Sequence, residues 1–170
     1  MAKRNKTDLA KKVASQRIQV AFHAEQDERI AAMRHLFIDR FTLCDLSCKT
    51  ILEYYKKVKR QEAGDIKPVL DMRIIPHAFT WAGIHMDRNV LNRIFGGSKS
   101  FKTRGTKSAK KLRDGIVHAM NTEDLQEMLE RQNELMSVMD VYLGVMGLQL
   151  ANAEQLQAYA SEENHTRKTA

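Results

Sequence analysis

Two residue types suited to phosphate chemistry stand close together in the stretch KSAKKLRDGIVHAMN, residues 107–121: Arg113 and, five positions on, His118. Arginine stays charged at any working pH, and its planar fork of donors fits phosphate oxygens. Histidine is the side chain most easily poised to give or take a proton near neutrality. Together they could stabilise charge on a phosphodiester while moving a proton to or from its oxygens.

The spacing alone is thin support. With 13 Arg and 6 His in 170 residues, such a pair with four to six intervening positions arises about 1.4 times by chance. Arg17/His23 and Arg29/His35 are further examples. Context separates the 113/118 pair from these. A polar residue, Asp114, follows the arginine, and the longest amphipathic segment of the chain comes next.

Charge marks the same region. The net charge is +7, and Lys99, Lys102, Arg104, Lys107, Lys110, Lys111 and Arg113 supply seven cations with no acid among them. The first twelve residues add five cations against Asp8, whereas residues 123–134 carry five acids against Arg131. A localised cationic block is the footprint of a polyanion-binding surface, with a solvated lysine-rich loop as the plainer alternative. Lys102, Arg104, Lys107, Lys110 and Lys111 are the candidate RNA contacts.

Other chemistry finds little footing. Cys44 and Cys48 lie four apart on an apolar stripe with no third cysteine, so they read as buried core thiols, and no metal is expected. Two cysteines make no disulfide framework, which points to a reducing compartment, the cytoplasm. His77 and His85 read as surface or packing residues, and Tyr54 and Tyr55 as core and rim. Asp124 and Glu127 read as a solvated pair on a charged helix face. There is no phosphate-loop, dinucleotide, zinc-protease or nucleophile-elbow motif, and no cofactor is expected. No apolar run approaches the roughly 18 residues needed to span a membrane, and the basic start MAKRNKTDLAKK lacks the apolar core of a secretory signal.

Helices must position the pair. The apolar fraction is 43% with only two prolines and eight glycines, a composition that favours a helical domain. Residues 7–25 form a helix with a poor apolar face. Asp27 or Glu28 opens a clearer one, with a stripe of Ile30, Met33, Phe37, Phe41, Cys44, Cys48, Ile51, Tyr55 and Val58. Pro68 and Pro76 each suit the first turn of a short helix. Asp87 caps a helix from Arg88 to Phe95, stopped by Gly96 and Gly97. Thr106 or Ser108 caps the segment carrying the pair, which runs to about Met120. Asn121 or Thr122 caps the last long helix, whose apolar face is Leu125, Met128, Leu129, Leu135, Met139, Tyr142, Leu143, Met146 and Leu150. The expected fold is all-α, an up-and-down bundle of about five helices. Residues 1–27 form a basic arm, 28–155 the bundle and 156–170 a frayed tail.

The segment KKLRDGIVHAMN resembles the signature of the HEPN superfamily: Arg, a polar residue, a few variable positions, then His. The resemblance is specific at Arg113, Asp114 and His118, and looser over residues 28–150. It implies an all-α bundle that commonly dimerises, and a metal-independent endoribonuclease of toxin–antitoxin, antiviral or RNA-processing systems. It further implies that Arg113 and His118 are catalytic, with Asp114 in support. Two positions depart from the pattern. The polar residue is often Asn in that superfamily, whereas an ionised Asp114 repels phosphate. Members modified by a nucleotidyltransferase antitoxin carry Tyr two residues beyond the His, where this chain has Met120.

On this basis the chain is expected to cut single-stranded RNA to a 2′,3′-cyclic phosphate. The alternative is a non-catalytic HEPN-like module that binds RNA or nucleotides, and a third is a helical scaffold. Five helical residues at 100° each put the two side chains about 140° apart. They therefore converge at a helix end, or a two-fold dimer gathers two copies into one cleft. The composite dimer site is the favoured expectation, with RNA, a second copy and an antitoxin or regulator as partners.

Overall fold

A computed structural model describes residues 2–97, 99 and 105–147. Every helix or strand assigned among them is helical, as expected: α1 (Ala2–Tyr54), α2 (Ile75–Trp81), α3 (Arg88–Phe95), α4 (Ala109–His118), α5 (Thr122–Glu130) and α6 (132–147). No helix among the described residues is long and apolar enough to cross a membrane. The chain divides into two compact units, Met1–Leu36 and Phe37–Ala170. The first is helical throughout its described length. The second is a helical bundle and holds the whole site. Leu150 and the 156–170 tail lie outside the described residues.

The helix boundary expected at Asp27 or Glu28 does not exist, because α1 runs unbroken through it. Neither Gly nor Pro occurs before Gly64, so nothing interrupts the backbone hydrogen-bond ladder, and an acidic residue alone does not. Within the second unit the α1 stripe buries Phe37, Phe41, Cys44 and Cys48 as expected, and also Leu52. Val58, by contrast, is exposed. The helix widens into a π-turn at Tyr55–Lys59, closed by the Arg60 amide donating to the Tyr55 carbonyl at 3.2 Å. The wider turn rotates later side chains off the stripe. Tyr54 is exposed and Tyr55 half-buried, and both rings lie against Trp81 at 5.5 and 5.6 Å.

The helix expected at Pro68 does not form. The chain instead reaches Asp71, whose carboxylate accepts from the Arg73 amide at 2.8 Å and ion-pairs with its guanidinium. Such a side-chain turn competes with helix. Pro76 then sits in the first turn of α2, where its missing N–H costs nothing. α2 ends on Gly83 at φ +74°, with the Ile84 amide reaching the Phe79 carbonyl at 2.9 Å and the Gly83 amide reaching that of Thr80 at 3.1 Å. That pair of bonds closes a Schellman cap, which needs a left-handed residue.

Asp87 caps α3 through the Asn89 amide at 2.8 Å, and Asn121 caps α5 through the Glu123 amide at 2.9 Å. The single long last helix is split at Arg131, which closes α5 before α6 begins. Leu112 and Ile116 of α4 enter the core with Leu91, Ile94 and Phe95 of α3, Met128 of α5 and Tyr142 of α6. Each such side chain contributes roughly 1.5–3 kcal/mol of burial. α4 packs against both α3 and α5. This packing orients its outer face and the pair it carries.

Candidate functional site

α4 starts at Ser108, which is buried. Its hydroxyl oxygen accepts from the Lys111 amide at 3.2 Å and donates to the Gly96 carbonyl. One side chain thus caps α4 and ties its start to the end of α3. At the other end His118 is the last helical residue, and Met120 turns the chain with φ +46°. The Asn121 amide then reaches back to the Gly115 carbonyl at 3.0 Å. The helix therefore stops at His118 rather than at Met120.

Between these ends the pair comes together. Arg113 Nη1 lies 3.3 Å from His118 Nε2. The arginine side chain is long enough to run along α4 to its C-terminal end, so one protomer bridges the angular gap by itself. A guanidinium only donates, so Nε2 must offer its lone pair. The contact is made by a neutral ring with its proton on Nδ1. His118 is exposed, whereas the Arg113 side chain retains 22% exposure.

Three neighbours hold Arg113. Its Nη1 is 3.1 Å from Asp114 Oδ1, while the other carboxylate oxygen of Asp114 accepts from Lys110 Nζ at 3.1 Å. Its Cζ sits 4.9 Å from the centroid of the Phe41 ring, a cation–π arrangement with a residue of α1. Arg113, Asp114, His118 and Lys110 therefore form one cluster. Phe41 was legible only as a core residue, because the contact joins positions 72 apart in the chain.

The remaining basic candidates disperse. Lys111 is exposed on α4. Lys102 and Arg104 lie outside the described residues. Lys107 turns inward to ion-pair with Asp124, a bond that raises its ammonium pKa above the usual lysine range. Asp124 is 4% exposed, and Glu127 accepts from the Lys107 amide at 3.1 Å and from Arg131 Nη1 at 2.6 Å. Arg131 also donates to the Lys107 carbonyl at 2.8 Å. Asp124 and Glu127 are thus not a solvated pair. They clamp the root of the basic loop onto α5, because Lys107 reaches both from upstream, its ammonium to Asp124 and its backbone amide to Glu127. Asp124 also presses on α4, since a Cβ at Gly115 would sit 2.7 Å from its Cγ.

Among the described residues no group of His, Cys, Asp or Glu could hold a metal ion. Cys44 and Cys48 are buried free thiols, and burial pushes the Cys44 pKa up to about 12. His77 and His85 are exposed. His85 edges a separate cleft of about 450 Å³ between α2 and α3, floored by Phe79, Ile84 and Leu91.

Comparison with protein-family models, with curated proteins and with solved structures found no match to this chain.

Proposed function

We propose that the chain is a metal-independent endoribonuclease of HEPN type that cuts single-stranded RNA, acting in the cytoplasm as a toxin or antiviral-defence effector. The observation that carries it is the 3.3 Å approach of Arg113 to the lone pair of His118 Nε2 on an exposed helix end. A base and a phosphate-binding cation then stand one hydrogen bond apart. The motif resemblance at Arg113, Asp114 and His118 adds the reaction class.

RNA brings its own nucleophile. A phosphodiester at Arg113 would slip between the guanidinium and the ring, so that Nε2 faces the ribose 2′-OH. His118 takes the 2′ proton as the 2′ oxygen attacks phosphorus. Arg113 stabilises the charge gathering on the phosphoryl oxygens. The P–O5′ bond breaks, the 5′ oxygen takes up a proton, and the products are a 2′,3′-cyclic phosphate and a 5′-hydroxyl end. DNA lacks the nucleophile and is inert. A two-fold dimer that brings two α4 helices together would supply a second His118 as the acid. Lys110 and Lys111, with Lys102 and Arg104 of the loop, would guide the strand.

One observation favours a second reading. Asp114 already occupies Arg113 at 3.1 Å. If phosphate cannot displace it, the basic residues still bind RNA or a nucleotide without cleavage, as in a non-catalytic module.

Incubation with RNA in EDTA, beside folded His118→Ala and Arg113→Ala variants, decides between them. Cleavage by the wild type alone supports the ribonuclease. Salt-sensitive binding without cleavage supports the binding module. Neither result leaves a helical scaffold, and both proposals fall.

A further inference from the structure

We propose that Phe41 is a positioning residue for Arg113: the face of its ring sets the guanidinium plane that meets His118. This deepens the ribonuclease reading and rests on it for the catalytic consequence, but not for the geometry. Phe41 comes from α1, outside the motif segment, and is 1% exposed. Its ring also meets Phe95, edge-on, with centroids 6.3 Å apart and planes at 61°. Phe95 in turn meets Tyr142 edge-on at 5.5 Å. The ring under Arg113 is therefore locked by an aromatic stack reaching from α1 through α3 to α6.

The need for such a shelf follows from the side chain above it. Arginine has four rotatable bonds before its planar head, and the bonds available at this site are local. Asp114 sits next to it in sequence and shares its charge with Lys110. Neither contact fixes the plane of the head, because each engages Nη1 alone. The Phe41 face does, since a cation prefers to lie over the electron-rich face of the ring. With the side chain mostly shielded from water, that preference is not screened away. The same stack links the helix core to the site: Phe95 is the last residue of α3, and the next carbonyl, Gly96, accepts the hydroxyl of the α4 cap Ser108. Ring and helix start are set by one element.

A buried phenylalanine is also plain core, so the test must change the ring's electrons and not its shape. Phe41 is replaced by 3,4,5-trifluorophenylalanine, which empties the ring face at nearly constant volume, with Phe41→Leu beside it. Two readouts are taken on the full chain. The first is the tautomer ratio of His118 from its ring ¹⁵N shifts in free protein. The second is kcat and KM for RNA cleavage. Fluorination is expected to lower the Nδ1–H fraction of His118 and to cut kcat by about three- to ten-fold, the rate equivalent of a lost cation–π contact. KM and Tm should stay near their wild-type values. An unchanged tautomer ratio on fluorination overturns the proposal, whatever Phe41→Leu does to stability. An unchanged kcat in a protein that does cleave RNA overturns it equally. If the wild type cleaves no RNA, the ribonuclease reading fails, and the tautomer ratio alone decides on Phe41.

Discussion

Gly115→Ala should destabilise the protein, although alanine is the better helix former. Gly115 lies inside α4, where the change gains about 1 kcal/mol of helix propensity. Against that gain, the new Cβ would fall on the Asp124 carboxylate, 2.7 Å from Cγ. Asp124 is 4% exposed and cannot swing into water without releasing Lys107. Overpacking costs about 1–3 kcal/mol. Loss of a largely buried ion pair adds up to about 3–5 kcal/mol. With partial relaxation the net loss is about 2–4 kcal/mol. At a mid-range urea m-value of about 2 kcal/mol/M, the unfolding midpoint should fall by about 1–2 M with m unchanged. In the double variant Gly115→Ala/Asp124→Ala the clash is gone, so its cost should be smaller than the sum of the singles by at least about 1 kcal/mol. A midpoint for Gly115→Ala at or above wild type, as an open helical glycine would give, refutes the packing of α4 on α5.

Asp114→Asn frees Arg113 from a carboxylate and should tighten RNA binding at low salt by about two- to five-fold, the worth of a partly exposed ion pair. Weaker binding by a filter or anisotropy assay would assign Asp114 a supporting role instead. Ser108→Ala removes the α4 cap together with its bond to Gly96 and should cost about 1–2 kcal/mol in urea unfolding, while an unchanged midpoint would contradict the cap. Burial raises the Cys44 pKa from 9.0 to about 12 and pushes Cys48 upward as well. The unfolded chain sheds these protons first, so above about pH 9 the native state binds more protons and stability falls as pH rises. The urea midpoint should therefore drop more steeply from about pH 8 to about pH 10 in wild type than in Cys44→Ala/Cys48→Ala. Equal slopes would show that the thiols are not desolvated.

The features legible in the sequence are those that a few neighbouring residues decide. Asp87, Ser108 and Asn121 cap their helices because a short polar side chain meets an amide two or three residues on. Pro76 sits in a first turn for an equally local reason. Phe37, Phe41, Cys44 and Cys48 repeat at helical spacing, so their burial is legible too. The illegible features depend on distant partners. Asp124 and Glu127 look like any acidic helix face until Lys107 and Arg131 close on them. Val58 leaves the buried set because a π-turn, invisible in the pattern, carries it off the stripe, whereas Leu52, ahead of that turn, keeps the stripe's helical spacing. Pro68 is the local exception: it stays outside a helix where Asp71, three residues on, turns its carboxylate onto the Arg73 amide.

The candidate site shows the same division. The residue types and the Ser108 cap are local, whereas the helix ends at His118, two residues before the expected Met120. Whether side chains about 140° apart could meet depended on the reach of one arginine and on an aromatic ring from α1. Gly115 is where Asp124 presses on the helix, which no window of the sequence reveals.

The most direct measurement is the chemistry of the RNA ends. A single-stranded RNA is incubated with the protein in EDTA, and the products are read by mass spectrometry and ³¹P NMR. The expected result is a 2′,3′-cyclic phosphate paired with a 5′-hydroxyl, absent with folded His118→Ala and absent when the ribose at the cut site is 2′-deoxy. Cleavage that survives loss of the His118 imidazole, or that leaves 5′-phosphate ends, would contradict the account.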